Sequence, residues 1–328
     1  MNDGETLQAM ITGFRVSAAL SVAAEFGISD ALAGDGQTLA ELAAAVKADE
    51  ETLGRLLRAL VAVGVYAVQD AVYTNTSMGE RLRSDVPGSL RPLARMGQDP
   101  AFWAAWGHLA HSVRTGENAF EAVHGVDVWT HREQRPEYNA IFNDNMTALS
   151  WYVGKSVADS YDFSGLDKVV DVGGGQGILL DAVLNRYEQL QGVVFDLPHV
   201  VATGPRSEAV ASRWSAVAGS FFEAVPPADG YLIKSILHDW PDDRCVKILR
   251  TCAASLNPGG VVLVIELVLD RPGHEVMAAF SDLNMLVMPG GRERTEDEYA
   301  ALFEAAGLHL NQVIDTGTRV CILEAVTG

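Results

Sequence analysis

The sequence predicts an α/β fold: a doubly wound, Rossmann-like sheet preceded by a mainly helical, winged-helix-like region. Three observations predict it. From Lys168 onward, short β-branched runs alternate with helical stretches, and a glycine-rich turn joins the first run to its helix. Residues 1–90 are rich in Ala and Leu at helical spacing. Between these parts, from about Asp99 to Tyr161, lies a segment unusually rich in aromatic residues.

In the N-terminal part, Leu7–Phe26 reads as a helix with apolar residues on most sides, which suits burial against a second subunit. Thr38 is a cap for a short helix over Leu39–Val46, with Glu41 at capping-box spacing. A second helix, Glu51 to Val63, puts Leu53, Leu56, Leu57, Leu60 and Val61 on one face and ends near Gly64. Val65–Val68 and Val72–Thr74, joined by a turn at Gln69-Asp70, form a hairpin. Two helices and a hairpin suggest a winged helix. A DNA-binding role fails on charge, since Gln37–Asp85 holds five basic and seven acidic residues, five minus seven being −2. The region reads instead as a protein–protein packing module.

The bulk properties narrow the partners. A formal net charge of −19 over 328 residues repels a polyphosphate backbone, so no nucleic-acid partner is expected. No apolar run approaches the ~18–20 residues of a membrane span, so no membrane partner is expected. The acidic start, Met1-Asn2-Asp3-Gly4-Glu5, lacks the basic leader of a secretory signal. Cys245, Cys252 and Cys321 show no C-x-x-C pairing, which fits reduced thiols and a cytoplasmic location.

The chemistry begins at Val169-Val170-Asp171-Val172-Gly173-Gly174-Gly175-Gln176-Gly177, a buried strand and a glycine turn, with an amphipathic helix from Ile178. A dinucleotide fingerprint needs G-x-G-x-x-G, but counting from Gly173 puts Ile178 at the third glycine position. The pattern is Asp-x-Gly-x-Gly-x-Gly, that of S-adenosylmethionine enzymes. A nicotinamide oxidoreductase is disfavoured by this spacing and by a C-terminal hairpin of Leu308–Asp315 and Arg319–Ala325. A second strand, Gly192–Phe195, ends at Asp196. Its carboxylate suits ribose hydroxyls, or caps a helix ahead of Val200-Val201-Ala202; beside the glycine turn the ribose role is favoured. The fourth strand, Gly230–Leu237, delivers His238 to a sheet edge next to Asp239. Imidazole titrates near neutrality and suits removal of a phenolic proton. Two acids reach the same edge: Glu266, closing Val261–Ile265, and Glu293, which reads equally well as a surface acid in a turn.

Asp171–Gly177, Phe195-Asp196-Leu197-Pro198-His199-Val200, Gly219-Ser220-Phe221-Phe222, Leu237-His238-Asp239-Trp240 and Gly290-Gly291-Arg292-Glu293-Arg294-Thr295 occur in this order. Together they closely resemble the class I S-adenosylmethionine-dependent O-methyltransferases of secondary metabolism, the plant caffeate/flavonoid type and their actinobacterial natural-product relatives. The resemblance spans essentially the whole chain. It implies a Rossmann-like methyltransferase domain with a mixed seven-stranded sheet and a winged-helix-like dimerisation domain, hence a homodimer. The expected division is 1–95 for dimerisation, 96–160 for a helical linker and substrate-binding segment, and 161–328 for the S-adenosylmethionine-binding catalytic domain. By resemblance His238 matches the general base, and Glu266 and Glu293 the acids flanking it. Asp171, Gly173, Gly175, Gly177, Asp196, Phe221, Lys234 and Trp240 match the cofactor site, S-adenosyl-L-homocysteine being the product. One position departs. The family commonly has an acid after the glycine of Gly-Asp-x-Phe, hydrogen-bonded to the adenine amino group; here Ser220, shorter and uncharged, stands there.

The acceptor is expected to be a small aromatic or polyketide-like molecule in a flat apolar slot. Trp103, Trp106, Phe142, Met146, Met285 and Met288 are its candidate lining, with Asn143 and Asp239 as polar contacts. No metal is expected. Relatives that use the fold as hydroxylases or pericyclases keep a second chemistry open. Metal-assisted C-methylation of an α-keto acid is disfavoured, since it would need His238, Asp239 and a further histidine, and none lies between Asp282 and Glu293.

Overall fold

The computed structural model describes residues 2–201 and 208–328. The chain divides into two compact units, one of residues 1–103 with 132–148, the other of 104–131 with 149–328.

In the first unit the helix read as Leu7–Phe26 is two helices, Asp3–Thr12 and Phe14–Glu25, bent by 41°. Gly13 stands at the break, and a helix-interior glycine costs about 1 kcal/mol relative to alanine, so the bend falls at the weakest point. Asn2 and Glu5 form a capping box at the start of the first. Leu7, Met10, Ile11 and Phe14 stay exposed along these helices. Among the described residues no single helix is long and apolar enough to cross a membrane.

A two-residue strand β1 (Gln37–Thr38) leads into the helix Leu39–Val46, where both halves of the Thr38/Glu41 capping box form. Asp49 caps the next helix, Glu50–Ala62, which buries Leu53, Leu57 and Leu60 against Ile28, Leu32, Leu42 and Tyr66. The hairpin follows as β2 (Tyr66–Gln69) and β3 (Val72–Asn75). Its turn lies one residue later than read, at Asp70 and Ala71 with φ 51° and 64°. Two left-handed central residues give the turn twist that matches paired strands. The sheet order is β1-β3-β2, and β1 is too short to show any alternation in sequence.

The second unit is built on seven strands: β4 (Lys168–Val172), β5 (Gln191–Asp196), β6 (Trp214–Ala218), β7 (Ala228–Lys234), β8 (Leu256–Glu266), β9 (Leu308–Asp315) and β10 (Cys321–Thr327). They lie in the order β6-β5-β4-β7-β8-β10-β9, parallel except for β10, which runs antiparallel to both neighbours. The mixed seven-stranded sheet is therefore as expected. Each face of the sheet carries its own core. Val170 and Val172 pack with Tyr231, Val264 and Phe303 on one side; Val169 packs with Leu179, Val183 and Phe163 on the other. The order reverses between β4 and β7, and such switch points open a crevice at the strands' carboxyl ends. Strand β7 stops at Lys234, three residues short of the expected Leu237, because Ser235 turns into the left-handed region at φ 54°.

Leu57 is fully buried in the first unit. Leu57→Ala should lower its unfolding free energy by about 2–5 kcal/mol in urea titrations followed by circular dichroism.

Candidate active site

The glycine turn after β4 holds Gly173, Gly175 and Gly177 at φ 68°, 57° and 79°, backbone states that glycine adopts without strain. A Cβ on Gly173 would sit 2.4 Å from Ile236 Cδ1, whereas at Gly175 it would meet nothing within 4 Å. The turn is thus packed on one side and open on the other. Gly175 N donates to Asp196 Oδ2 at 2.8 Å, and Asp196 Oδ1 accepts from Leu197 N at 2.7 Å. The helix beyond begins at Pro198, and Ala202 lies outside the described residues. Asp196 therefore braces the turn rather than capping that helix in the usual way, through the N–H groups two or three residues on.

Asp171 is buried, and its Oδ2 has no hydrogen-bond partner. Burial raises its pKa to about 7, against the pull of Lys234 at the end of β7. Burial likewise lowers the Lys234 pKa, opposed by the Asp171 charge. Beyond β6, Gly219 N donates to Asp196 O at 3.0 Å, and Ser220 Oγ accepts from Phe222 N at 3.3 Å. This brings Phe221 and Phe222 against Trp240, whose ring lies nearly parallel to Trp129 at 6.3 Å.

His238 stands on the 3-10 turn Leu237–Asp239. Glu266 Oε1 fixes that turn by accepting from Ile236 N and Leu237 N, both at 2.9 Å. Arg294, 1% exposed, grips it from the other side by donating to Leu237 O at 3.1 Å, Trp240 O at 2.9 Å and Asp242 Oδ1 at 2.7 Å. Arg292 N donates to His238 O at 2.9 Å. So held, His238 Nδ1 lies 3.0 Å from Glu293 Oε1 and 3.5 Å from Glu266 Oε2, with Nε2 3.7 Å from Asp239 Oδ1. Glu293 is 1% exposed, a buried acid and no surface turn.

Sequence reasoning put His238 near neutrality, and the structure corrects this. Burial alone lowers its pKa, but Glu266, Asp239 and Glu293 outweigh burial and raise it to about 10. Burial raises Glu266 to about 7 despite the histidine beside it. Glu293 ends below the usual carboxylate range, because His238, Ser281 and Arg319 outweigh its burial. The donor atoms of His238, Glu266 and Glu293 lie within 4.8 Å of one another, a spacing that also suits a metal ion.

Of the expected acceptor residues, Met285 and Met288 are buried in this unit, Trp106 is partly buried and Asp239 adjoins His238. Asn118 Nδ2 donates to Met288 O at 2.9 Å, anchoring the aromatic segment to the methionines. Trp103, Phe142, Asn143 and Met146 belong to the first unit. There Trp103 Nε1 donates to Gly97 O at 2.6 Å, and the Arg132 guanidinium lies over the Phe142 ring at 3.6 Å. Arg294 and Asn118 were missed as supporting residues; each contacts groups far away in sequence, which no local pattern signals.

A family model for the O-methyltransferase domain matches residues 106–309, and one for the O-methyltransferase dimerisation domain matches residues 8–85. The chain belongs to the O-methyltransferase family. This O-methyltransferase is 39% identical over 322 residues to a phenazine O-methyltransferase, PhzM, of Lysobacter antibioticus, covering 96% of this chain and 94% of that protein. The crystal structure of LaPhzM matches it with a TM-score of 0.94 at 36% identity, over 100% of both chains. NcsB1, an O-methyltransferase from neocarzinostatin biosynthesis solved with S-adenosyl-L-homocysteine and 1,4-dihydroxy-2-naphthoic acid, matches with a TM-score of 0.81 at 36% identity, over 95% and 96%. The enzyme is an S-adenosylmethionine-dependent methyltransferase. Its glycine turn fits that cofactor: the space over Gly175 is open, and the unpartnered Asp171 Oδ2 suits an ammonium group. With relatives that methylate oxygen, the hydroxylase, pericyclase and C-methylation alternatives are not favoured.

Arg294→Met should remove the charged donor from the Leu237 and Trp240 carbonyls at about 1.5–3 kcal/mol each, leaving them the Trp240 N–H and the weak Cys245 thiol donor, read as a fall in thermal stability together with lost turnover.

Proposed function

We propose that the enzyme methylates a phenol-type hydroxyl of an aromatic or polyketide-like natural product, with His238 as the proton acceptor. The observation that carries the reading is the buried His238–Glu293–Glu266 cluster on the β7 and β8 edge, beside an open glycine turn. The phenazine enzyme and the dihydroxynaphthoic acid complex support an aromatic acceptor. S-adenosylmethionine supplies a methyl group on a positively charged sulfur, which an oxygen nucleophile displaces directly. The glycine turn and Asp171 hold its amino-acid part, and Asp196 its ribose. Phe221, Lys234 and Trp240 line the remainder, with Ser220 replacing the usual acid near the adenine. Trp106, Met285, Met288 and Asp239 face the acceptor, and Trp103, Phe142, Asn143 and Met146 are further proposed acceptor contacts. Residues 1–95 form a two-fold dimer through the exposed apolar N-terminal helices, and 161–328 carry the chemistry; the matched dimerisation domain supports this.

The acid cluster sets the proton energetics. A phenol has a pKa near 10, so an ordinary imidazole at about 6.5 would take its proton at a cost of about 5 kcal/mol. At about 10, His238 takes it nearly without cost. Acceptor oxygen to Nε2, with Nδ1 held by Glu293, is the path the geometry favours. The consequence is that His238 rests as imidazolium in the free protein at neutral pH. A raised pKa means the neutral base appears only as pH climbs toward 10.

His238→Ala should lower kcat/KM by roughly 10²–10⁴ with S-adenosylhomocysteine affinity nearly unchanged, the loss shrinking for more acidic phenols. Wild-type turnover in that variant would refute the base assignment. NMR titration of labelled histidines should put His238 near 10 in the free protein, well above the others. The midpoint should fall when S-adenosylmethionine binds and fall less with S-adenosylhomocysteine, whose sulfur is neutral. Asp196→Ala should weaken S-adenosylhomocysteine binding by about 1–3 kcal/mol in calorimetry.

A further inference from the structure

The helix Glu275–Val287 places Ser281 and Asp282 against Glu293. Ser281 Oγ donates to Glu293 Oε1 at 2.6 Å, the same oxygen that serves His238 Nδ1 at 3.0 Å. Asp282 Oδ1 accepts from Glu293 N at 2.9 Å. Two consecutive residues thus grip one acid by side chain and by backbone. Glu293 Oε2 is buried without a partner, so the carboxylate's orientation depends on Oε1 alone. A serine inside a helix commonly bonds back to the carbonyl one turn earlier. Ser281 instead donates across to Glu293. Met285, one turn further along, lies on the same side of the helix and is buried.

We infer that Ser281 is a positioning residue for methyl transfer: its hydroxyl holds Glu293 in the rotamer that orients His238, and its helix ties that acid to the Met285 wall. The inference rests on the reading of His238 as the base. The charged and titratable groups around Glu293 are His238 on its turn, Glu266 on β8, Arg319 in the β9–β10 connection and Tyr299 on the helix Glu296–Ala306. Of these, His238 Nδ1 also meets Oε1, so among the described residues Ser281 is the donor that holds that oxygen independently of the imidazole.

The test is steady-state methylation of a hydroxylated naphthoic acid, across pH, with the full-length chain. Ser281→Ala should lower kcat about ten- to a hundredfold, with acceptor KM and S-adenosylhomocysteine affinity within about twofold. Losing a donor leaves the Glu293 carboxylate a stronger acceptor for Nδ1–H and holds the imidazolium harder, so the acidic limb that His238 sets should move up by about one pH unit. Ser281→Thr should restore most of the rate. A merely structural serine would lower the melting temperature and leave the profile in place. Wild-type kcat and profile in Ser281→Ala, or a well-folded Ser281→Thr as impaired as Ser281→Ala, would overturn the inference. Should Ser281→Ala fail to fold, Ser281→Cys, similar in size but a weak donor, carries the same comparison. His238→Ala in the same assay separates the two layers. If it is unimpaired, the base reading falls; if it is impaired while Ser281→Ala is not, only the inference falls.

Discussion

Glu266 closes β8 with a carboxylate fully shielded from solvent, and the N–H groups of Ile236 and Leu237 converge on its Oε1. Burying a carboxylate is costly unless its oxygens find donors, and backbone donors are the least mobile ones available. Here the donors come from the turn that carries His238. The turn, in φ-strained continuity with β7 through Ser235, is therefore fixed by a charge at the end of the next strand. Arg294 completes the grip, so His238 is positioned by β8, by the segment after Gly290 and by its own strand together. Three distant pieces of sequence must fold before the imidazole points anywhere useful.

The same dependence explains what was legible in the sequence. The glycine spacing that disfavoured a dinucleotide site, the capping box at Thr38 and Glu41, and the hairpin ending the sheet are local patterns, and all stand in the structure. Asp171, Asp196, His238 and Glu266 were visible as residue types at or near strand ends, and Glu293 as an acid in a turn. Their energetics were not. A histidine beside one acid gives no hint of a pKa near 10, because two of the three acids responsible arrive from β8 and from beyond Met288. Gly13 was visible too, but Ala, Leu and Val continue the helical pattern past it, and a bend leaves no periodic trace. The end of β7 was overread for a related reason: Ile236 and Leu237 are good strand residues that a carboxylate from another strand diverts.

Asp196 shows how one residue takes two readings at once. Position alone suggested a ribose acid or a helix cap. The carboxylate spends one oxygen on Gly175 N, so it stabilises the left-handed turn whose open side admits the ligand. Its acceptor capacity is not exhausted, since a carboxylate offers about four lone-pair sites and two backbone donors occupy only part of them. Bracing and the proposed ribose contact are compatible, and losing the side chain would remove both.

The acid cluster has a further consequence for the reaction as a whole. On the proposed reading the positive charge lies on the cofactor sulfur before transfer, and His238 must be neutral to accept a proton. Afterwards the sulfur is neutral and His238 is imidazolium. One positive charge has moved across the site while the net charge has stayed the same. Asp239, Glu266 and Glu293 face His238 at 3.0–3.7 Å, and the last two are held by the Ile236 and Leu237 N–H groups and by Ser281 Oγ before any substrate arrives. They favour the cation that forms at His238, so the electrostatic field there needs little rearrangement during the step. Preorganised charge of this kind is among the largest contributions available to an enzyme, because no solvent must reorient as the barrier is crossed. On this account the cluster matters less as a proton store than as a fixed negative field that receives positive charge at the imidazole.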